Sequence, residues 1–197
     1  MPFGLMNAPS SFQEMMDEIP RDLDTHTVWY IDDSLIYSGH GMDSPHPTGS
    51  EAEYKWAVER VLQKLLDHNL AVNLAQSEFH VKEINFLGYH LGDNTLRMEP
   101  GKIEAIKQWK TPTRKKEVQA FLGFANYYRR FIQDYAHRVK PLTELTKSPK
   151  LKVPFSWGQQ QQEAFDELKR AFQEAPVLVQ FDRSLPTLIE TDRKAHV

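Results

Sequence analysis

Two carboxylates, Asp32 and Asp33, stand side by side in the stretch TVWYIDDSLIYS, residues 27–38. Both flanks are rich in β-branched and aromatic residues, which predicts two short strands with the acidic pair at the tip of a hairpin. Aspartate suits turns because its short side chain bonds nearby backbone, so a polar turn is one reading. Val28, Trp29, Tyr30 and Ile31 before the pair, and Leu35, Ile36 and Tyr37 after it, predict a largely buried hairpin whose tip lies near a core or cleft. Like charges held there repel unless a cation sits between them. Magnesium accepts one or two carboxylates, with water and substrate phosphates completing its octahedron. Nucleotide transfer uses two such ions, one to activate the attacking hydroxyl and one to hold the triphosphate. The pair alone supplies too few ligands for that, so the neighbours must decide.

A second charged feature emerges only when charge is followed along the chain. The net charge of −3 divides into a segment, residues 100–152, with thirteen Lys and Arg against four Asp and Glu, and a remainder with eleven against twenty-three. A basic segment of net +9 on an acidic chain is either a solvated helix face or a contact for a phosphate backbone. The 197 residues, 40% hydrophobic and 26% charged, suit one or two globular domains. Cysteine is absent, which excludes a disulfide framework and thiolate-bound zinc. No apolar run approaches the roughly 20 residues that cross a bilayer, and MPFGLMNAPSS lacks the pattern of a signal peptide. The expected location is intracellular, cytoplasmic or nuclear, with no membrane partner.

The elements that must position these residues follow from periodicity. NAPSSFQEMMDEI predicts a helix with Asn7 as cap and Phe12, Met15, Met16 and Ile19 on one face, ended by Pro20. Gly and Pro make residues 39–50 a loop. Ser50 and Glu53 predict a reciprocal capping box on a helix whose stripe is Tyr54, Ala57, Val58, Val61, Leu62, Leu65 and Leu66. LAVNL predicts a strand, and FHVKEINFLGYHLG a second hairpin turning near Lys82 and Glu83. Beyond residue 93, PGKIEAIKQW, KKEVQAFLGFANYYRRFI and AHRVKPLTELT predict a small basic helical module. SPKLKVPFSW reads as extended, GQQQQEAFDELKRAFQEA as a helix, and PVLVQF and PTLIETD as strands. The fold class is α+β, with an antiparallel sheet and helices on one face in the first 92 residues.

Five segments in fixed order, MPFGLMNAPSSFQ, YIDD, INFLGYHL, FLGFANYYRRFI, and APVLVQFD with IETD, resemble the reverse transcriptase of gypsy-class LTR retrotransposons over essentially the whole chain. The resemblance implies a C-terminal part of a polymerase palm over 1–92, a helical thumb over 93–150, and a linker with the start of a ribonuclease H-like domain over 151–197. It implies that Asp32 and Asp33 are catalytic ligands of a two-metal magnesium site, and that Phe3, Gly4 and Tyr30 lie near nucleotide, template and primer end. Phe86, Leu87 and Gly88 correspond to the hairpin that grips the primer. Lys115, Lys116, Arg129 and Arg130 become candidates for the nucleic-acid backbone, and Asp192 matches the first metal-binding aspartate of the ribonuclease H domain. The implied partner is an RNA/DNA template–primer duplex.

Departures from the pattern bear equally on function. The family's first palm aspartate precedes the MPFGL block. Where the family commonly carries a lysine thought to protonate pyrophosphate, this chain has Ala75, Gln76 and Ser77. RKAHV follows IETD in place of the family's Ala-Ser. The expectation is a reverse transcriptase fragment that is inactive alone. Two other readings stay open: a nucleic-acid-binding module working through the thumb, and a subunit active only with a partner that supplies the missing polymerase half. Self-association is a further expectation for a sheet that has lost its flanking elements.

Overall fold

The structure, a computed structural model, describes residues 6–39, 44–92, 94–147 and 155–179. These residues form two compact units, Met1–Val81 and Lys82–Val197.

In the first unit, α1 (Ala8–Glu18) starts after Asn7 with Pro9 in its first turn and ends at Ile19. Its apolar face buries Met16 and Ile19 and packs Phe12, while Met15 stays 37% exposed at the edge of the expected stripe. The antiparallel hairpin β1 (Thr27–Tyr30) and β2 (Asp33–Ile36) follows. Helix α2 (Glu51–Asp67) buries Ala57, Val61 and Leu65 but leaves Leu62 and Leu66 exposed. Met16, Ile19, Leu23, Val61 and Leu65 make one small core, against which Trp29 and Ile36 pack. The segment LAVNL is not a strand. It runs exposed into a 3-10 turn at Leu74–Gln76, because alternating apolar residues do not make a strand without a hydrogen-bonded neighbour.

The second unit holds a four-stranded antiparallel sheet in the order β3 (Glu83–Phe86), β4 (Tyr89–Gly92), β5 (Thr95–Met98), β6 (Leu178–Val179). Five helices join it: α3 (Pro100–Lys107), α4 (Lys115–Tyr127), α5 (Tyr135–Arg138), α6 (Lys140–Thr146) and α7 (Gln159–Gln173). Phe121 of α4 lies 4.7 Å, ring to ring, from Phe165 of α7, and both are fully buried. Val118, Ala125, Leu142, Leu168 and Phe172 close this larger core.

The break between the compact units falls after Val81, because β4 of the second hairpin pairs with β5, which leads straight into α3. Helix α7 shares the core of α4 and α6. The expected strand PTLIETD lies outside the described residues.

Candidate functional site

The acidic hairpin turns on two residues, Ile31 and Asp32, since Tyr30 pairs with Asp33. Asp32 is thus at the tip and Asp33 opens β2. Ile31 has φ +52°, a left-handed conformation that is costly for a β-branched residue. Alternation along the hairpin puts Thr27 and Trp29 inward and Val28 and Tyr30 outward. Asp33, opposite Tyr30, stands on the outward face. The hairpin is therefore half-buried and not largely buried as its composition suggests: Val28 is 44% and Tyr30 53% exposed. A β-rich flank records strand propensity more than burial.

Helix α1 holds this tip. The side-chain amide of Gln13 accepts from the Ile31 N–H at 2.7 Å and donates to the Trp29 carbonyl at 3.3 Å. It also donates to Asp17 Oδ1 one turn on at 2.7 Å, which fixes the amide's orientation. One side chain thus bonds the backbone on both sides of Tyr30, as a neighbouring strand would. An open hollow of about 720 Å³ lies beside it, lined by Gln13, Asp17, Tyr30 and Ile31 among others.

The base of the hairpin is anchored by a buried polar pair that sequence reasoning missed. His26, immediately before β1, places Nε2 3.3 Å from Glu53 Oε1, and both side chains are buried. Glu53 Oε2 accepts the N–H groups of Gly39 and Gly49, at the two ends of the intervening loop. Burial alone would raise the Glu53 pKa, but the Gly49 and Gly39 N–H groups and His26 outweigh it and hold the carboxyl below its usual range. The capping box is consequently one-sided. Ser50 Oγ accepts from the Glu53 N–H, whereas the Ser50 N–H donates to the Pro47 carbonyl.

Asp32 and Asp33 are exposed, and their carboxylates make no hydrogen bond or ion pair among the described residues. Nor do three acidic or histidine side chains converge anywhere among those residues. Two adjacent free carboxylates fit a magnesium ion whose remaining ligands are water and substrate phosphate, and do not fit an all-protein cage. Phe3, Gly4 and Asp192 lie outside the described residues. Ala75 and Gln76, where the resembling family carries a basic stretch, sit exposed in the 3-10 turn.

The second hairpin also turns on two residues, Leu87 and Gly88, because Phe86 pairs with Tyr89. This corrects the expected turn at Lys82 and Glu83: Glu83 is the first residue of β3. Gly88 has φ +76° and Leu87 φ +49°, as a tight two-residue turn needs. Phe86, Leu87 and Gly88 are adjacent at this tip and partly buried.

The four cationic candidates are not brought to one point. Lys115 and Lys116 open α4, whereas Arg129 and Arg130 lie in the 3-10 turn after it. A helix of 13 residues separates the pairs by roughly 20 Å at 1.5 Å per residue. Lys116, Arg129 and Arg130 are exposed and Lys115 is half-buried, so the arrangement can track a polyanion along the helix. Arg130 also lies over the Tyr89 ring at 5.4 Å. No helix among the described residues is long and apolar enough to cross a membrane.

A family model described as reverse transcriptase (RNA-dependent DNA polymerase) matches residues 1–91, and one described as an RNase H-like domain found in reverse transcriptase matches residues 157–197. The Tf2-3 and Tf2-7 transposon polyproteins of Schizosaccharomyces pombe are each 36% identical to the chain over 193 residues. That is 98% of this chain and 14% of each relative, so the chain spans about a seventh of the length of these proteins. A foamy viral protease-reverse transcriptase in complex with double-stranded DNA shares the fold at TM-score 0.76 and 24% identity, over 92% of this chain and 30% of the viral one. Another, in complex with an RNA/DNA hybrid, does so at 0.73 and 23%, over 91% and 23%. The acidic hairpin thus stands in the residues that match the reverse transcriptase model, the end of the chain matches an RNase H-like domain found in reverse transcriptase, and the chain as a whole is similar to a stretch of a transposon polyprotein.

Proposed function

We propose that this chain contributes palm and thumb to an RNA-directed DNA polymerase of a gypsy-class LTR retrotransposon, with Asp32 and Asp33 as magnesium ligands and an RNA/DNA template–primer duplex as partner. The observation that carries the reading is the exposed acidic tip, held in a strained turn by Gln13, in the segment that matches reverse transcriptase. Bound magnesium would activate the primer hydroxyl and hold the nucleotide's triphosphate. The chain's own part is to fix where the carboxylates stand. The bond from the Ile31 N–H to Gln13 fixes the backbone from which Asp32 projects, and placement within a fraction of an ångström is what such catalysis requires. Phe86, Leu87 and Gly88 would grip the primer, and Tyr30, with Phe3 and Gly4, would lie near its end and the incoming nucleotide. Lys115, Lys116, Arg129 and Arg130 would neutralise phosphates without reading sequence. Asp192 would ligate metal in the RNase H-like part.

Two carboxylates are one short of the set that the family uses, so the 197 residues taken alone should not polymerise. The fingers and the further aspartate must come from additional sequence, in the same polypeptide or in a partner. Exposed Leu66, Leu74 and Phe79 favour a covering partner or a second copy. An intracellular location, cytoplasmic or nuclear, goes with such a partner in this proposal. Primer extension with magnesium and saturating nucleotides tests the catalytic half: no template-dependent product is expected, and product that vanishes in Asp32→Asn would overturn the proposed inactivity. Anisotropy titration of an RNA/DNA hybrid at several salt concentrations tests the binding half. Affinity should fall steeply with salt, and replacing the four cations by Ala should flatten the slope. A quadruple variant that kept the parent's slope would remove the thumb from the interface.

A further inference from the structure

The tip of the second hairpin is tied to the end of α4 by three reciprocal hydrogen bonds. The Tyr127 hydroxyl donates to the Leu87 carbonyl at 2.6 Å, and the Tyr128 hydroxyl donates to the Gly88 carbonyl at 3.2 Å. In return the Tyr89 hydroxyl, from β4, donates to the Tyr127 carbonyl at 3.3 Å, one of the carbonyls that a helix end leaves without an intrahelical partner. The three rings pack on one another. Tyr89 stacks on Tyr127 at 5.3 Å, and Tyr128 meets both edge-on at 5.6 and 4.8 Å. Tyr128 is buried, and its hydroxyl, pushed up to about 12 by that burial and by Tyr127, Tyr89 and Glu99, stays a donor at any physiological pH. The turn held this way contains a non-glycine residue with positive φ, which persists only where its surroundings hold it.

We infer that Tyr127 and Tyr128 are positioning residues that lock the Leu87–Gly88 turn to α4, so that the hairpin tip and the basic helix present themselves to nucleic acid as one rigid surface. The inference rests on the proposed reading of that turn as a primer grip. It also assigns a reason for glycine at residue 88 beyond backbone freedom: a Cβ there would lie 2.5 Å from the Tyr128 hydroxyl oxygen, with the ring carbon behind it at 3.7 Å. The hydroxyl occupies the space that any other residue's side chain would need.

The test uses the 197-residue chain with Tyr127→Phe and Tyr128→Phe, alone and together, which keep the rings and remove the donors. Amide hydrogen exchange should rise about tenfold or more across 83–92 in the double variant, while exchange in α7 and α2 stays at parent values. Unchanged exchange in the hairpin, or a uniform rise through the whole second unit, would overturn the inference. Gly88→Ala gives an independent arm. It should loosen the same segment, and Tyr128→Phe should restore part of the loss, whereas strictly additive effects would show that the hydroxyl does not fill the site. Hybrid affinity should drop several-fold in the double phenylalanine variant with the salt slope unchanged, since no charge is removed. Faster exchange with unaltered affinity would refute positioning. A parent chain that bound no hybrid would instead refute the functional reading, and exchange alone would then decide whether the clasp exists.

Discussion

The hairpin carrying Asp32 and the hairpin carrying Gly88 are built alike: four-residue strands, a two-residue tip, and a non-glycine residue with positive φ at that tip. Both tips are held by side chains that bond their backbone, but in different surroundings. The first forms a two-stranded sheet, anchored by polar groups, Gln13 at the tip and the buried His26–Glu53 pair at the base. The second lies in a four-stranded sheet and is clasped by the hydroxyls of exposed Tyr127 and of Tyr128, which belongs to a large aromatic core. The difference follows from what each tip exposes. Carboxylates that are to meet metal and phosphate cannot be covered by rings, so their hairpin must be fixed from behind by hydrogen bonds of defined direction. A tip without charged groups can be held by the hydroxyls of aromatic side chains that pack beside it.

Polar anchoring is the more fragile arrangement, and the largest effect is expected at Glu53. Glu53→Gln replaces a buried carboxylate that accepts from the Gly39 and Gly49 N–H groups and faces His26 by a neutral amide, and weakening buried hydrogen bonds to a charged group costs about 1–3 kcal/mol. Because the Glu53 pKa is held below its usual value, its contribution is present above the unfolded-state pKa and is lost as pH falls through the folded value. Urea midpoints of the first unit, followed by Trp29 and Trp56 fluorescence between pH 7 and 3, should decline in acid for the parent and be lower and flatter for Glu53→Gln. The second unit should melt unchanged. A parallel shift in both units would end the contrast between them.

Gln13 should matter less to stability and more to the tip. Gln13→Ala strands the Ile31 N–H and the Trp29 carbonyl, at a cost of about 1–2 kcal/mol where they stay shielded from water. Exchange of the Ile31 amide should speed up by an order of magnitude or more. Gln13→Glu sharpens the point: it keeps an acceptor for Ile31, loses the donor to Trp29, and sets a second carboxylate beside Asp17. It should protect the Ile31 amide better than Ala does and yet destabilise the helix face at neutral pH. Equal protection in the two variants would show that the amide does not hold the turn.

What the sequence made legible divides along the same line. Helices α1, α2, α4 and α7 announced themselves through apolar spacing, and the double-aspartate hairpin through β-formers on both sides. The second turn did not. The polar Lys82 and Glu83 look more like a turn than Leu87 and Gly88, and only strand pairing shows that Glu83 faces Gly92. Strand β5 is four residues between the second hairpin and α3, too short for alternation to register. LAVNL alternates well and still forms no strand. Gln13 and Glu53 were invisible as anchors because their long-range partners lie 14 to 27 residues away at no periodic spacing, and a capping motif explained Glu53 too easily. Local pattern finds elements; the long-range polar contacts that position a site leave no such trace.

The smallest expected effect concerns the second unit and has two readouts of opposite sign. Lys115 and Lys116 occupy the first turn of α4, where the helix dipole disfavours cations by about 0.3–1 kcal/mol. A chain selected for stability alone would put acidic residues there, and Glu117 does just that, accepting the Thr113 N–H at 2.8 Å. Charges standing where local physics disfavours them point to function in the same way as paired carboxylates on a strained turn. Exposed Lys116 is the cleaner of the two to change. Lys116→Glu should raise the melting midpoint of the second unit slightly, by the few tenths of a kcal/mol that the dipole returns, while lowering hybrid affinity and reducing the salt slope by about one phosphate contact or more. Lys116→Gln should fall between parent and Glu on both scales. If affinity and stability moved together, or if affinity did not move at all, the lysine would be an ordinary solvated charge, and the basic helix would have no claim to be the counterpart of the acidic hairpin.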